Sequence, residues 1–198
     1  MSTRTCARRS PPGSACPKGS PPKDVTLSPA LSQVVTEPGP IASRKIGVIA
    51  DTGSDLASID KLRRAVTRLG ASVLVIAPVG GVLSRGSHRE TAERALLTAR
   101  SIEFDALVVA GGTTAASDIK LVLVLQEAYR HAKALGAWGS GAAVLEAAGI
   151  SADGPGVVTG DSVAKPFIDQ LATAVGLHRV WDRTPAVMAS AVPPATRA

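Results

Sequence analysis

A run of small residues between an apolar segment and a helical segment is the part of the sequence best suited to chemistry. It reads Ala137-Trp138-Gly139-Ser140-Gly141 and continues into a helical pattern over residues 142–145. In an open α/β sheet, such a strand-to-helix turn is the usual position of a nucleophile or a phosphate site. Gly139 has no side chain and the Ser140 hydroxyl needs a base, so this turn carries chemistry only if a base reaches Ser140.

Length and composition indicate one α/β domain with an aliphatic core. The chain has 198 residues, of which 45% are hydrophobic, and it contains 19 glycines. This is enough chain for one core with helices on both faces of a sheet, even without a terminal tail. Aromatic residues make up only 3%, which argues against binding sites built by ring stacking.

The positive charge is concentrated at the amino terminus. The net charge is +6, and residues 1–24 hold five basic side chains against one acid, Asp24. Like-charge clusters in polar segments are usually solvated. The arm has no interleaved aromatic residues, so we predict no nucleic-acid partner.

Cysteine usage and hydropathy bear on the compartment. Cys6 and Cys16 both lie in the amino-terminal arm, and the rest of the chain has no cysteine, which fits a reducing compartment. The sequence has no run of about 18 apolar residues that could span a membrane, and no apolar core of a secretory signal. We therefore predict a cytoplasmic protein without a membrane partner.

The chain divides into three regions. Residues 1–43 are rich in Pro, Ser and Gly and lack apolar periodicity, so they are predicted to be a disordered arm and linker. Residues 44–183 are predicted to be the folded domain, and residues 184–198 a frayed tail. Within the linker, residues 28–40 carry apolar side chains that could cover a patch of a partner or of the domain itself.

Apolar runs and helical periodicity alternate through the folded region. Strands are predicted at 45–50, 72–77, 103–110, 135–138 and 156–159, and helices at 56–69, 89–101, 116–134, 141–148 and 162–175. Residues 80–86 fit either a short hairpin or an irregular excursion. Five strands alternating with helices predict a doubly wound parallel sheet of flavodoxin-like order, with helices on both faces.

Three blocks together resemble one family. They are residues 104–112, residues 127–141 and residues 156–160, the last with the terminal segment 178–183. This set is similar to the C-terminal domain of large-subunit haem catalases, which belongs to the ThiJ/PfpI, class I glutamine amidotransferase-like superfamily. The likeness reaches back into the linker and covers about residues 28–183. It implies a flavodoxin-like fold that in full-length relatives is appended to a catalase body.

The resemblance does not imply catalase activity for this chain. A haem catalase needs a large β-barrel with a distal histidine and asparagine and a proximal tyrosine that binds iron. The only tyrosine, Tyr129, lies inside a predicted helix, where an aromatic side chain most often serves packing. We therefore predict no haem, no metal and no other cofactor.

The superfamily pattern places the candidate site residues. Active members carry a cysteine on the elbow, and residue-by-residue matching puts Gly139 at that position and Ser140 next to it. Gly111 and Gly112 match the glycine pair that serves as an oxyanion hole, and Asp55 matches the acidic position after the first strand. Asp55 is also a good N-cap for the helix that follows. The strand-to-helix turn at Gly139 and Ser140, called the elbow here, is thus predicted to have lost its nucleophile. The glycine pair Gly111 and Gly112, called the glycine shelf, and the acid Asp55 are predicted to be vestigial.

Two enzymatic or ligand-binding alternatives stay open. Ser140 could replace the thiol in a degenerate hydrolase or glyoxalase-like enzyme, but it would need His131 or another base within hydrogen-bond reach. His131 lies on the preceding helix and is more simply a surface histidine. His88 and His178 lack the spacing of a metal site. Residues 51–54, Asp-Thr-Gly-Ser, faintly resemble the phosphate loop of FMN-binding flavodoxins.

The favoured hypothesis is a non-catalytic, flavodoxin-like catalase C-terminal domain without the haem-binding core. Its expected role is structural, stabilising or chaperone-like. Its expected partners are a second copy of itself or a catalase core, reached through residues 28–40.

Overall fold

The fold was obtained as a computed structural model, which describes residues 37–115 and 118–183. Strands alternate with helices along these residues, except for three consecutive strands between residues 72 and 95. The strands are β1 Lys45–Ile49, β2 Ser72–Ala77, β3 Gly81–Arg85, β4 His88–Ala95, β5 Ala106–Val109, β6 Ala134–Trp138 and β7 Val157–Gly160. The helices are α1 Leu56–Arg68, α2 Ile119–Arg130, α3 Gly141–Ala147 and α4 Lys165–Gly176, with 3-10 turns at Ser101–Glu103 and Trp181–Arg183.

The strands form one seven-stranded sheet in the order β3-β4-β2-β1-β5-β6-β7. Strands β2, β1, β5, β6 and β7 pair in parallel. Their order is the flavodoxin-like one, in which the strand order reverses between β1 and β5. The predicted fold class is confirmed, and a hairpin, β3–β4, extends the sheet beyond β2.

Both faces of the sheet are covered, which explains why its central strands are continuously apolar. On one face the buried side chains of α1 and α4 pack against alternate strand residues such as Ile46 and Val48. On the other face α2 and α3 pack against the intervening residues, such as Ile49 and Val109. Trp138, at the end of β6, lies edge-on to Phe167 of α4 with ring centroids 6.3 Å apart.

The prediction of a helix over residues 89–101 is wrong, because His88–Ala95 is strand β4. Its Glu and Arg residues have good helix propensity, but tertiary pairing overrides it. Glu93 accepts a hydrogen bond from the Val75 backbone N–H of β2 at 2.6 Å, and Glu90 pairs with Arg63 of α1 at 2.8 Å. Residues 80–86, for which two alternatives were open, form the first strand of the hairpin and its turn.

Local signals set the ends of the helices. Gly70, at φ +82°, ends the turn after α1 in the left-handed region, as expected for glycine after a helix. Helix α2 is shorter than predicted: the Asp118 carboxylate accepts from the Lys120 N–H at 2.8 Å at its start. Ala132, at φ +55°, follows its last turn. Leu69, the last residue of the helix predicted over 56–69, lies just beyond the end of α1 and is 46% exposed.

The domain already makes contacts ahead of Arg44. The Gly39 N–H donates to the Gly176 carbonyl at the end of α4 over 3.1 Å, and Ile41 is buried in the core. The predicted disorder of the remainder of the arm and of the carboxyl-terminal tail falls on residues 1–36 and 184–198, which lie outside the described residues. Within the described part of the chain, none of the helices has the length and apolar character needed to cross a membrane.

Candidate functional site

The site lies at the carboxyl edge of the parallel strands, where their loops meet. The loop after β6 reaches β7 through the Gly139 N–H, which donates to the Gly160 carbonyl at 2.8 Å. The loop after β1 reaches the loop after β5 through the Asp55 N–H, which donates to the Gly111 carbonyl at 2.8 Å. Parallel strands end at one edge, so Gly139, Ser140, Gly111, Gly112 and Asp55 come together there.

The turn at Gly139 has the backbone geometry of a nucleophile elbow. Gly139 has φ +54°, between the buried strand β6 and helix α3, which is a conformation that a side chain adopts only with strain. A Cβ atom at this position would lie 3.6 Å from the Asp161 carbonyl and 3.8 Å from the Gly111 Cα, both ordinary contacts. The position could therefore hold a side chain, and it carries none.

The Ser140 hydroxyl is engaged by the glycine shelf, which consists of Gly111 and Gly112. The Gly112 N–H donates to Ser140 Oγ at 2.8 Å. The resemblance to active superfamily members assigns this amide to an oxyanion hole, and here the protein's own hydroxyl accepts from it. Of the described residues, none with a titratable side chain forms a hydrogen bond to Ser140 Oγ.

Two of the three histidines, His131 and His178, make their contacts away from the elbow. His131 follows α2 at the amino end of β6, whereas Ser140 lies beyond the carboxyl end of that strand; the five strand residues alone separate the two by roughly 16 Å. His131 is exposed and its Nδ1 is 3.3 Å from Ser101 Oγ. His178 Nδ1 accepts from Arg44. Among the described residues, no three side chains of His, Cys, Asp or Glu are grouped so that they could hold a metal ion.

Asp55 acts as the N-cap of α1. Its carboxylate accepts from the Ser58 N–H at 3.2 Å, which satisfies one of the donors left unpaired in the first helical turn. The capping role predicted for Asp55 is confirmed. Its side chain also lines an open cleft of about 410 Å³ together with Arg85 and His88 from the hairpin.

Removal of the cap gives a first testable prediction. We expect Asp55→Ala to lower the free energy of unfolding by about 1 kcal/mol, which corresponds to about 2–4 °C in Tm for a domain of this size. Asp55→Asn keeps a capping oxygen and should stay within about 0.5 kcal/mol of the wild type. Thermal and urea unfolding measure both variants. Equal losses in the two would show that the carboxylate charge, not the cap, stabilises α1.

Sequence reasoning missed the most heavily hydrogen-bonded side chain of this edge, Asp51. Asp51 is 6% exposed and lies directly after β1. Its carboxylate accepts from the Gly53 N–H at 2.8 Å, and from the N–H and hydroxyl of Thr114 at 2.6 and 2.8 Å. The signal that could have indicated this role is an acid after an apolar strand in an Asp-Thr-Gly-Ser turn, where aspartate commonly accepts from the backbone two residues on.

Asp51 also bears on the flavin alternative. A phosphate loop holds its ligand with free backbone N–H groups. In residues 51–54 the Gly53 N–H already donates to the Asp51 carboxylate, and the Arg85 guanidinium donates to the Gly53 carbonyl at 2.5 Å. A phosphate in this loop would meet a buried carboxylate in place of free donors. The loop geometry therefore does not favour FMN.

Fold and site together define a class: a flavodoxin-like α/β domain with a glycine, Gly139, at the turn between β6 and α3. The family model for the C-terminal domain found in long catalases matches residues 42–185. The chain belongs to this family, which confirms the resemblance found in its sequence.

Curated relatives are catalases that are much longer than this chain. It is 37% identical over 176 residues to Catalase HPII of Mycobacterium avium, covering 79% of this chain and 25% of that protein. It is 32% identical over 168 residues to Catalase-2 of Bacillus subtilis, covering 81% of this chain and 24% of that protein. It is 33% identical over 173 aligned positions to Catalase C of Rhizobium meliloti, covering 83% of this chain and 24% of that protein. The chain thus spans about a quarter of the length of these relatives.

Proposed function

We propose that this chain is a non-catalytic domain that stabilises a catalase core, and that it does so by docking rather than by chemistry. The observation that carries the proposal is the combination of the family match over residues 42–185 with an elbow at Gly139 that has no side chain to react. In this proposal the chain keeps the backbone turn of a ThiJ/PfpI-type elbow but has glycine at the position of the nucleophilic cysteine.

The contacts of Ser140 support a structural role for the site. A serine attacks a carbonyl only when a base accepts its proton while free N–H groups bind the developing oxyanion. Here the Gly112 N–H donates to the serine itself, and His131 lies at the opposite end of β6. The hydroxyl thus ties the loop after β6 to the loop after β5 and stabilises the edge of the sheet.

Docking is proposed through the segment that precedes the domain. Gly39 is fixed to α4 by its hydrogen bond to the Gly176 carbonyl. A Cβ at Gly176 would lie only 2.5 Å from the Gly39 carbonyl and 3.2 Å from Pro38, so the two backbones pack directly. Gly39, within the predicted docking segment 28–40, thus packs against α4, and we propose that residues 28–37 bind a catalase core or a second copy.

Stabilisation in trans tests this proposal. The chain is added to a long catalase from which the C-terminal domain has been deleted, and the thermal midpoint of that core is followed by its residual peroxide decomposition. At about ten times its Kd, a partner that binds only the folded core stabilises it by about 1.4 kcal/mol. We expect a raised midpoint with the wild-type chain and none with a variant that begins at Pro38. No shift with the wild-type chain at any concentration would contradict docking to the core.

A chaperone-like role is tested by a separate experiment. Light scattering of an unrelated protein during heating shows whether the chain suppresses aggregation in general. If the chain suppresses this aggregation through residues 28–37 but does not stabilise the catalase core, its role is that of a general chaperone and not of a domain that docks to the core. If the chain neither stabilises the catalase core nor suppresses aggregation, self-association is the remaining role, and sedimentation measures it directly.

The enzymatic alternative yields a further prediction. We expect no turnover of methylglyoxal, small esters or peptides above the uncatalysed rate, because no basic side chain within residues 37–115 and 118–183 forms a hydrogen bond to the Ser140 hydroxyl. Ser140→Ala should therefore change stability through its lost hydrogen bond, by about 0.5–1.5 kcal/mol, and leave these rates unaltered. A turnover that disappears in Ser140→Ala would overturn the non-catalytic proposal and establish a serine-dependent enzyme.

A further inference from the structure

A buried carboxylate occupies the crevice where the strand order of the sheet reverses. Asp51 lies at the end of β1, and the loop after β5 lies beside it, so the side chain is at the position between β1 and β5 where ligands bind in this architecture. The carboxylate receives two backbone N–H groups and the Thr114 hydroxyl at 2.6–2.8 Å. Ser54 Oγ is a further, longer donor at 3.3 Å.

These donors converge as they would around a bound anion. They come from two loops: Gly53 and Ser54 follow β1, and Thr114 follows β5. Ser54 Oγ is itself held by two contacts: it accepts from the Asp51 N–H at 2.8 Å and lies 3.0 Å from Thr113 Oγ1. Ser54 and Thr113 are both buried, so the donor set is fixed before any ligand is considered.

The space around the carboxylate is closely fitted. A Cβ at Gly53 would lie 3.2 Å from Asp51 Oδ1 and 2.8 Å from the Gly112 carbonyl, so the backbone itself forms the wall. Arg85 adds a positive charge nearby through its hydrogen bond to the Gly53 carbonyl. Burial alone raises the pKa of Asp51, but the hydrogen bonds from Thr114, Gly53 and Ser54 outweigh it and hold the pKa below its ordinary value.

We infer that Gly53, Ser54 and Thr114 form a binding site for a small carboxylate, and that the chain's own Asp51 is its resident ligand. The inference goes beyond the proposed docking role and does not depend on it. Deleting the Asp51 carboxyl group leaves a buried set of donors without an acceptor, which is costly. A free carboxylate of matching size then binds there and restores the lost contacts.

Chemical rescue tests the site, and the size of the deletion selects the ligand. Asp51→Ala removes one carboxylate and keeps the Cβ, so formate replaces the missing group. Asp51→Gly removes the methylene as well, so acetate fits in addition. We expect Tm losses of about 5–10 °C in both variants. With the anion at about ten times its Kd, formate should raise the Tm of Asp51→Ala by about 3–5 °C over equal chloride.

The size rule and the filled site are the controls. Acetate should rescue Asp51→Gly more than Asp51→Ala. In the wild type and in Asp51→Asn the side chain at position 51 fills the site, so the Tm of each of these proteins should be the same in formate, acetate and chloride. Equal shifts in all four proteins would be a general salt effect and would overturn the inference, as would no formate-specific shift in Asp51→Ala. If a variant does not fold, refolding from urea decides: recovery of native circular dichroism in formate but not in chloride supports the site, and failure in both overturns it.

Discussion

Replacing Gly141 with alanine should destabilise the domain, although alanine is the better helix former. Gly141 is the first residue of α3, and it is buried against the end of β5. A Cβ there would lie 2.6 Å from the Val109 carbonyl oxygen and 3.0 Å from that of Ala110. Both obstacles are backbone atoms at the end of the central strand β5 and just after it, so neither can rotate away.

The magnitudes decide the sign of this prediction. Alanine gains at most about 1 kcal/mol over glycine in helix propensity, whereas forcing an extra carbon into a packed site costs about 1–3 kcal/mol or more. With backbone on the opposing side, we expect a net loss of about 1–3 kcal/mol. This is a fall in Tm of about 3–10 °C, measured by calorimetry and by urea unfolding.

Two variants separate crowding from propensity. A Cβ at Gly80 meets nothing within 4 Å, so Gly80→Ala should leave the free energy of unfolding within about 0.5 kcal/mol of the wild type. Ala143 is exposed on the same helix, so Ala143→Gly should lose up to about 1 kcal/mol by propensity alone. A Gly141→Ala protein as stable as the wild type would show that α3 can move away from β5.

The central sheet could be predicted because each of its strands is defined by its own residues. Strand β1 is apolar on both faces, with Ile46 and Val48 on one face and Ile49 on the other. Turn or capping residues such as Asp55 and Gly70 follow at the expected places. Strand β4 is different. It buries Ala92 but few of its other side chains, and its stability as a strand depends on Arg63 and the β2 backbone, which lie far away in sequence. Single-sequence periodicity contains no information on such partners.

The candidate site shows the same division. The identity of Gly139 is enough to predict that the elbow has no nucleophile, because the missing side chain is visible in the sequence. The hydrogen bond from Gly112 to Ser140 and the bonds from Thr114 to Asp51 join positions 28 and 63 residues apart. Residue types made these contacts possible, but only the packing of β1, β5 and β6 brings the partners within hydrogen-bond distance.

Arg183 carries the second large expected effect, since it fastens the terminal segment to the amino ends of β6 and β7. Its Nε donates to the Pro155 carbonyl at 2.6 Å, and its Nη1 donates to the carbonyls of Lys133 and Tyr129 at 2.7 and 3.3 Å. The guanidinium lies 4.1 Å from the centroid of the Tyr129 ring, which gives the chain's only tyrosine a packing role. Burial lowers the pKa of Arg183 to about 10, so the side chain stays charged at neutral pH.

Arg183→Ala should therefore lower the free energy of unfolding by about 2–4 kcal/mol. Each carbonyl that loses its donor without gaining water costs about 1–3 kcal/mol, and the cation–π contact adds about 0.5–2 kcal/mol. The exposed residue Pro155 gives its carbonyl access to water, which keeps the total at the lower end of that sum. Urea unfolding and a fall in Tm of about 4–15 °C measure the effect.

Charge and geometry at this position can be separated by two further variants. Arg183→Lys keeps the charge but cannot reach three carbonyls with one planar group, so it should recover only part of the loss. Arg64→Ala removes an exposed partner of Asp60 at i,i+4 and should cost no more than about 0.5 kcal/mol. If Arg183→Ala lost as little as Arg64→Ala, the terminal segment would be held by Val180, which packs against Gly156, and not by the guanidinium.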